Sequence, residues 1–297
     1  MAEMKFEGLG VALVTPFNKD FSIDYEALEG LLNHVVSGGS DYLVVLGTTG
    51  EPPTLTLEEK IVVTQFIKEK TAGNIPLVLG IGGNSTSKVI EDIIRRDLDG
   101  YSAILSVTPY YNKPNQEGLF QHYKAISEAS PLPVILYNVP GRTGVNLSAD
   151  TTTRLSHTSE KIIGVKEASG KIEQTEEIIK NARNGFCVIS GDDGCTAALM
   201  KRGAKGVISV LGNAFPGIVK KLVTLCQENK NTEAEEFQKS LQPIIGHLFE
   251  DGNPGGVKTV LAKMGLMNNV LRLPLVPVSR STEERLYKEV ERLRHLF

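Results

Sequence analysis

Residues 42–71 read YLVVLGTTGEPPTLTLEEKIVVTQFIKEKT, and the fold follows from this stretch. It begins with Tyr42–Leu46, an apolar run of strand length in which neighbours such as Val44 and Val45 are both apolar. A strand with one wetted face alternates apolar and polar residues. A run without alternation suits a strand covered on both faces, as in a parallel sheet under helices. After a glycine-rich turn, Thr56 and Glu59 stand three residues apart as a capping box, each side chain able to accept the other's backbone N–H. Val62, Val63, Phe66 and Ile67 then recur at helical spacing until Gly73. The unit is strand, loop, helix.

The same unit recurs along the chain. Strand-length runs occur at Val11–Val14, Tyr42–Leu46, Leu77–Ile81, Ala103–Val107, Val134–Tyr137, Ile162–Val165, Phe186–Ile189 and Gly206–Val210. Asp24 opens a helix carrying Leu28, Leu31, Leu32, Val35 and Val36, closed by Gly38-Gly39; Val89, Ile90, Ile93 and Ile94 mark another, ending before Gly100. Strands that each lead into a helix predict an α/β fold, a (β/α)8 TIM barrel. A doubly wound sheet would need a topological switch point, which the pattern does not announce. Helical runs follow at Ile218–Gln227, Thr232–Glu250, Gly255–Met264 and Thr282–Leu296, and Leu271–Pro277 reads as an extended linker. The first run closes the barrel and the rest form a C-terminal helical appendage. The expected division is a barrel over residues 1–228 and a helical domain over 229–297.

Composition narrows the function classes. The 297 residues include 32 Lys+Arg and 35 Asp+Glu, a formal net charge of -3, so there is no basic field for phosphate backbones or anionic lipid. Neither nucleic acid nor membrane is expected as a partner. Cys187, Cys195 and Cys226 form no CxxC pair, no apolar run approaches bilayer length, and MAEMKFEGLG lacks an apolar signal region. A reducing, cytoplasmic address is the expectation.

In such barrels the chemistry sits where the βα loops converge, at the C-terminal ends of the strands. Those ends carry Gly47-Thr48-Thr49-Gly50-Glu51, Thr108-Pro109-Tyr110-Tyr111-Asn112, Tyr137 to Gly144, Lys166-Glu167-Ala168-Ser169 and Ser190-Gly191-Asp192-Asp193. Lys166 is expected to project from its strand into the barrel mouth. A lone strand-end lysine usually snorkels to solvent. With an ordinary pKa near 10.4, only about one amine in 2,500 is unprotonated at pH 7, so a nucleophilic role demands desolvation or neighbouring cations. Tyr137, Thr49 and Tyr111 place three hydroxyls at the same rim, enough to shuttle protons for imine formation without a metal. Thr48 and Thr49 offer hydroxyls and N–H groups to a small carboxylate, and Arg142 a bidentate fork to a second one.

Rival motifs are incomplete. Gly80-Ile81-Gly82-Gly83-Asn84-Ser85 has serine where a dinucleotide fingerprint needs its third glycine, and GxxxxGK[ST] is absent. The histidines, His34, His122, His157, His247 and His295, lack metal-binding spacing. Asp192-Asp193 reads as a solvated loop pair or helix cap rather than a metal site, and Cys195 has no adjacent histidine to activate it.

Over nearly its whole length, from Gly10-Val11-Ala12-Leu13-Val14-Thr15-Pro16-Phe17 onward, the chain resembles the dihydrodipicolinate synthases, a family within the pyruvate-dependent class I aldolases that include N-acetylneuraminate lyase. Gly47–Glu51 and Gly164–Ser169 carry the likeness to the superfamily; YNVPGRTG at 137–144 separates the synthases from sialate lyases, which lack the arginine loop. The resemblance implies that Lys166 forms a Schiff base with pyruvate. It makes Tyr137, Thr49 and Tyr111 a proton relay, Tyr111 crossing from a neighbouring subunit. Thr48, Thr49 and the backbone at Ile208 would hold the pyruvate end. Arg142 and Gly191 would meet L-aspartate 4-semialdehyde. It further implies a lyase of lysine and diaminopimelate biosynthesis, without cofactor or metal, built as a homotetramer that is a dimer of dimers. Asn84 and Tyr110 match an allosteric lysine pocket of the family, but Leu57, Lys60 and Lys88 replace its histidines and glutamate. A cation there repels the lysine ammonium, so weak or absent inhibition by L-lysine is expected; inhibition at low micromolar lysine would contradict it. Two other readings stand beside this one: a sugar-acid lyase sharing Lys166 and Tyr137, disfavoured by Arg142, and a non-catalytic keto-acid binder.

Overall fold

The structure, a computed structural model, describes residues 6–294. Met1–Lys5, His295 and the expected end of the last helix at Leu296 lie outside the described residues. Eight parallel strands close into a barrel in sequence order: β1 Gly8–Ala12, β2 Tyr42–Val45, β3 Leu77–Gly80, β4 Ala103–Val107, β5 Val134–Asn138, β6 Ile162–Glu167, β7 Cys187–Ser190 and β8 Gly206–Ser209. The helices are α1 Tyr25–Ser37, α2 Leu57–Thr71, α3 Thr86–Arg95, α4 Gln116–Ala129, the short α5 Pro140–Thr143, α6 Ala149–Thr158, α7 Ile172–Asn181, α8 Thr196–Met200 and α9 Pro216–Gln227. Beyond them come α10 Asn231–Glu250, α11 Gly255–Lys263 and α12 Arg280–Arg294. The TIM barrel with C-terminal helices is therefore what the chain forms.

Local signals act where they were read. The Asp24 side chain accepts from the Ala27 N–H at the head of α1, and Thr56 and Glu59 form both bonds of a capping box on α2. Where strand ends differ from the sequence expectation it is mostly by a single residue, and β1 and β6 differ by more. The first strand starts at Gly8 rather than Val11. Glycine hides the strand signal there, yet Gly10 has a steric reason: a Cβ would lie 2.3 Å from the Tyr42 ring, which fills the barrel floor beside Phe6. At its other end β6 continues through Lys166 and Glu167, two charged residues that are both buried.

The side chains divide by strand period. Val44, Val78, Leu105, Ile135, Tyr137, Ile189 and Ile208 pack together inside the barrel. The opposite faces join Leu28, Val63, Ile93 and Ile126 of the surrounding helices, and Leu241, Leu248, Val257 and Val290 of the C-terminal helices belong to the same apolar layer. The appendage is thus seated on the barrel's own helical shell. Burying each such side chain stabilises the fold by roughly 1.5–3 kcal/mol before entropy is charged against it.

Candidate active site

The strand ends open into a cavity of about 460 Å³ whose walls include Thr48, Tyr110, Tyr137, Arg142 and Asn253. Lys166 stands opposite Tyr137 on β5 and Ile189 on β7. It is 5% exposed, and its Nζ lies 4.4 Å from the centre of the Tyr137 ring. The side chain that could have snorkelled is instead held inside the mouth. Gly191 explains part of this: a Cβ there would lie 3.1 Å from Lys166 Cγ and Cε and 2.7 Å from Ala168 Cβ. The glycine leaves the channel through which the lysine stem passes.

Glu167, one residue on, faces the other way into a buried polar network. Its carboxylate accepts from Asn138 Nδ2, Gln174 Nε2 and the Ser169 N–H. Three donors hold one carboxylate, so the end of β6 is fixed from outside while Lys166 projects inward.

The loop after β2 is pinned from several sides. Thr48–Gly50 forms a single 3-10 turn. Thr15 Oγ1 donates to the Gly50 carbonyl at 2.7 Å, and the buried Thr49 Oγ1 accepts from Asn253 Nδ2 at 3.1 Å. Glu51 sits in the left-handed region, φ 55°, with its carboxylate 2.5 Å from Lys258 Nζ, neither side chain exposed. The Arg272 N–H donates to the other carboxylate oxygen, while Lys258 also lies 4.1 Å from the centre of the Phe17 ring and donates to the Val270 carbonyl. Burial pulls the Lys258 pKa down to about 8, against the pull of Glu51.

Arg142 lies on α5 at the cavity wall, its Nη2 within 3.5 Å of the Asn253 carbonyl. Ile208 is buried on β8. Just beyond it the buried Asp193 carboxylate accepts from Ser209 Oγ and from the Val210 and Leu211 N–H groups. The expectation of a solvated pair is therefore corrected for Asp193: burial pushes its pKa up while its three donors oppose that. Its neighbour Asp192 is the cap, accepting from the Gly194 N–H.

Of the expected site residues, Thr48, Tyr137 and Arg142 line the cavity. Lys166, Thr49, Gly191 and Ile208 are not among its lining residues. Lys166 lies behind the Tyr137 ring, Thr49 is bonded to the lining Asn253, Gly191 sits against the Lys166 stem and Ile208 packs inside the barrel. Tyr111 is 88% exposed and outside the residues lining the cavity. Of the allosteric candidates, Tyr110 and Lys60 line the cavity. The Asn84 carbonyl accepts from Asn112 Nδ2, tying two loops together, and Leu57 and Lys88 are exposed. Asn253 was not legible in the sequence: it comes from the turn between α10 and α11, and no local motif marks it. Among the described residues no group of three His, Cys, Asp or Glu could hold a metal ion. Burial pushes the Cys195 thiol up to about 11, which removes it as a thiolate nucleophile.

Similarity to known proteins extends over the whole chain. The profile of the Dihydrodipicolinate synthetase family matches residues 5–293. The chain is 51% identical over 293 residues to the 4-hydroxy-tetrahydrodipicolinate synthase of Parabacteroides distasonis, covering 99% of each protein. To that of Phocaeicola vulgatus it is 50% identical over 286 residues, 96% of each. The crystal structure of dihydrodipicolinate synthase from Aquifex aeolicus superposes with a TM-score of 0.94 at 39% identity, covering 97% of this chain and 98% of that one.

Proposed function

The chain belongs to the dihydrodipicolinate synthetase family, and from that premise we infer that it is a 4-hydroxy-tetrahydrodipicolinate synthase, a lyase of lysine and diaminopimelate biosynthesis that condenses pyruvate with L-aspartate 4-semialdehyde. The observation that carries the reading is Lys166, buried on the inward face of β6 against Tyr137 at the mouth of the barrel.

Lys166 Nζ attacks C2 of pyruvate, and the carbinolamine loses water to give an iminium. The iminium surrenders a proton from C3 and becomes an enamine, the positive nitrogen acting as electron sink. The enamine carbon attacks the aldehyde of the second substrate. The amine of the adduct then adds to C2 and expels Lys166 as the ring closes. Tyr137, Thr49 and Tyr111 move the protons of these steps. Thr48 and Thr49 bind the pyruvate carboxylate, with the backbone at Ile208 beside the imine. Arg142 holds the semialdehyde carboxylate near Gly191, and its placement by Asn253 supports that role. A polyhydroxylated sugar aldehyde offers a fixed guanidinium no such partner, so the sugar-acid lyase reading is the weaker one. We further take residues 1–228 as the catalytic unit and 229–297 as its buttress.

The test is pyruvate consumption with L-aspartate 4-semialdehyde, beside N-acetylmannosamine and sugar aldehydes, with Lys166→Arg as blank. Turnover confined to the semialdehyde, abolished in the variant, and a borohydride-reduced pyruvyl adduct mapped to Lys166 are expected. Turnover with a sugar aldehyde alone would overturn the substrate, and an adduct at another residue would overturn the nucleophile.

A further inference from the structure

Lys166 and Tyr137 lie directly across from one another on β6 and β5, and the residues that follow them, Glu167 and Asn138, form the next pair of the same register. Side chains alternate along a strand. The first pair therefore points into the barrel and the second out through its wall, where Asn138 and Glu167 are both buried. Asn138 Nδ2 donates to both Glu167 oxygens, at 3.2 and 3.0 Å. Each oxygen takes a second donor: the Ser169 N–H at 2.7 Å on one, Gln174 Nε2 at 3.0 Å on the other.

The same network reaches the Arg142 loop. Asn138 Oδ1 accepts from the Leu147 N–H, and its Nδ2 donates also to Asn146 Oδ1. Asn146 Nδ2 in turn donates to Gln174 Oε1. Asn146 and Leu147 lie just past α5, the turn that carries Arg142. One carboxylate thus joins the backs of three segments whose fronts carry Lys166, Tyr137 and Arg142. Its donors are all neutral, and a buried charge held without an ionic partner is costly, so stability alone is a poor account of it. What a fully bonded network supplies is a single arrangement of its members.

We infer that Glu167, through Asn138 and Gln174, is a positioning residue for the Schiff-base centre. Facing away from the cavity, it fixes Lys166, Tyr137 and the Arg142 loop relative to one another from behind the barrel wall. The inference rests on the assignment of Lys166 as nucleophile.

Rapid-quench borohydride trapping of the full chain, over a range of pyruvate concentrations, tests it. In Glu167→Gln the amide sets a donor against the donors around it. The limiting rate of adduct formation should fall about tenfold or more, since imine formation depends on the placement of amine and hydroxyl. The pyruvate concentration giving half that rate should stay within about twofold, because Thr48 and Thr49 bind the pyruvate carboxylate from the loop after β2. A purely structural role would lower the unfolding midpoint and leave the rate of the folded enzyme intact. Gln174→Leu removes one donor and the link to Asn146 without touching either strand. Should Glu167→Gln fail to fold, Gln174→Leu decides, with a loss of about threefold or more. A limiting rate within about twofold of wild type in the deciding variant overturns the positioning role, as does a loss seen only as a raised half-saturating concentration. Those outcomes leave Lys166 the nucleophile. No adduct at Lys166 in the wild type would overturn that assignment and this inference with it.

Discussion

A methyl group at position 191 would approach Ala168 Cβ to 2.7 Å, closer than real Cβ contacts come, and would press on the stem of Lys166 at 3.1 Å. Because Lys166 is fixed by β6 behind and Tyr137 in front, the strain is relieved by moving the amine. Gly191→Ala should therefore lower the rate of pyruvate-dependent borohydride trapping at Lys166 at least tenfold, with overpacking costing about 1–3 kcal/mol of stability. A trapping rate within twofold of wild type would show that the channel is roomier than its geometry indicates. At this scale the sequence was informative where a residue type carries its own chemistry. Lys166 after an unbroken apolar run, with Tyr137 at the end of the preceding strand and Arg142 just after it, could be singled out by position in a repeating unit. Asn253 could not, since its bond to Thr49 joins residues 204 apart in the chain. Asp193 was misjudged for a related reason: its three donors belong to β8 and the turn after it.

The loop after β2 depends on a buried charge pair that reaches it from α11. Lys258 has no exposed side-chain surface, and breaking such a pair at one partner leaves the other charged in a dry site, typically at 3–5 kcal/mol. Glu51→Gln is expected to cost about that much in urea unfolding, and the double variant Glu51→Gln/Lys258→Met to recover most of it; a loss below about 1 kcal/mol would mean the pair is not what holds the loop. The pH dependence has a definite sign. Lys258 titrates near 8 when folded and near its ordinary 10.4 when unfolded. Between those values the unfolded chain binds more protons, so this group adds stability as pH rises through the window. Relative to the double variant, wild-type unfolding free energy should climb from pH 8 to about 10. A fall would mean that the attraction of Glu51 outweighs burial. Elements themselves were largely legible, because apolar runs and caps are local. Their ends were not: glycine masks the start of β1, and buried charges extend β6 past its apolar run.

Several apolar side chains do not serve the fold of one chain at all. On α2, Leu57 is 49% and Ile61 51% exposed; on α3, Ile94 is 71% exposed; after β4, Tyr111 is 88% exposed with φ 74°. Helical spacing alone assigned Val62 and Ile94 to core-facing stripes, yet Val62 is also 51% exposed, because periodicity cannot say which part of a broad apolar face meets its own core. Exposed apolar residues on neighbouring elements suit an association surface, and we propose that a second copy of the chain covers this one. A positive φ in a tyrosine is costly backbone, and with its side chain turned to solvent we propose that the Tyr111 hydroxyl serves the relay of a second subunit. Complementation tests this. Lys166→Arg and Tyr111→Phe are each expected to be nearly inactive alone. In a mixed dimer, the Tyr111→Phe chain supplies an intact Lys166 and receives Tyr111 from the Lys166→Arg chain, restoring one of two sites. Random pairing makes half of the dimers mixed, so refolding the variants together at equal concentration should recover about a quarter of wild-type turnover. If Tyr111 instead folds back over its own cavity on substrate binding, no mixed dimer contains a complete site, and turnover stays at the average of the two variants.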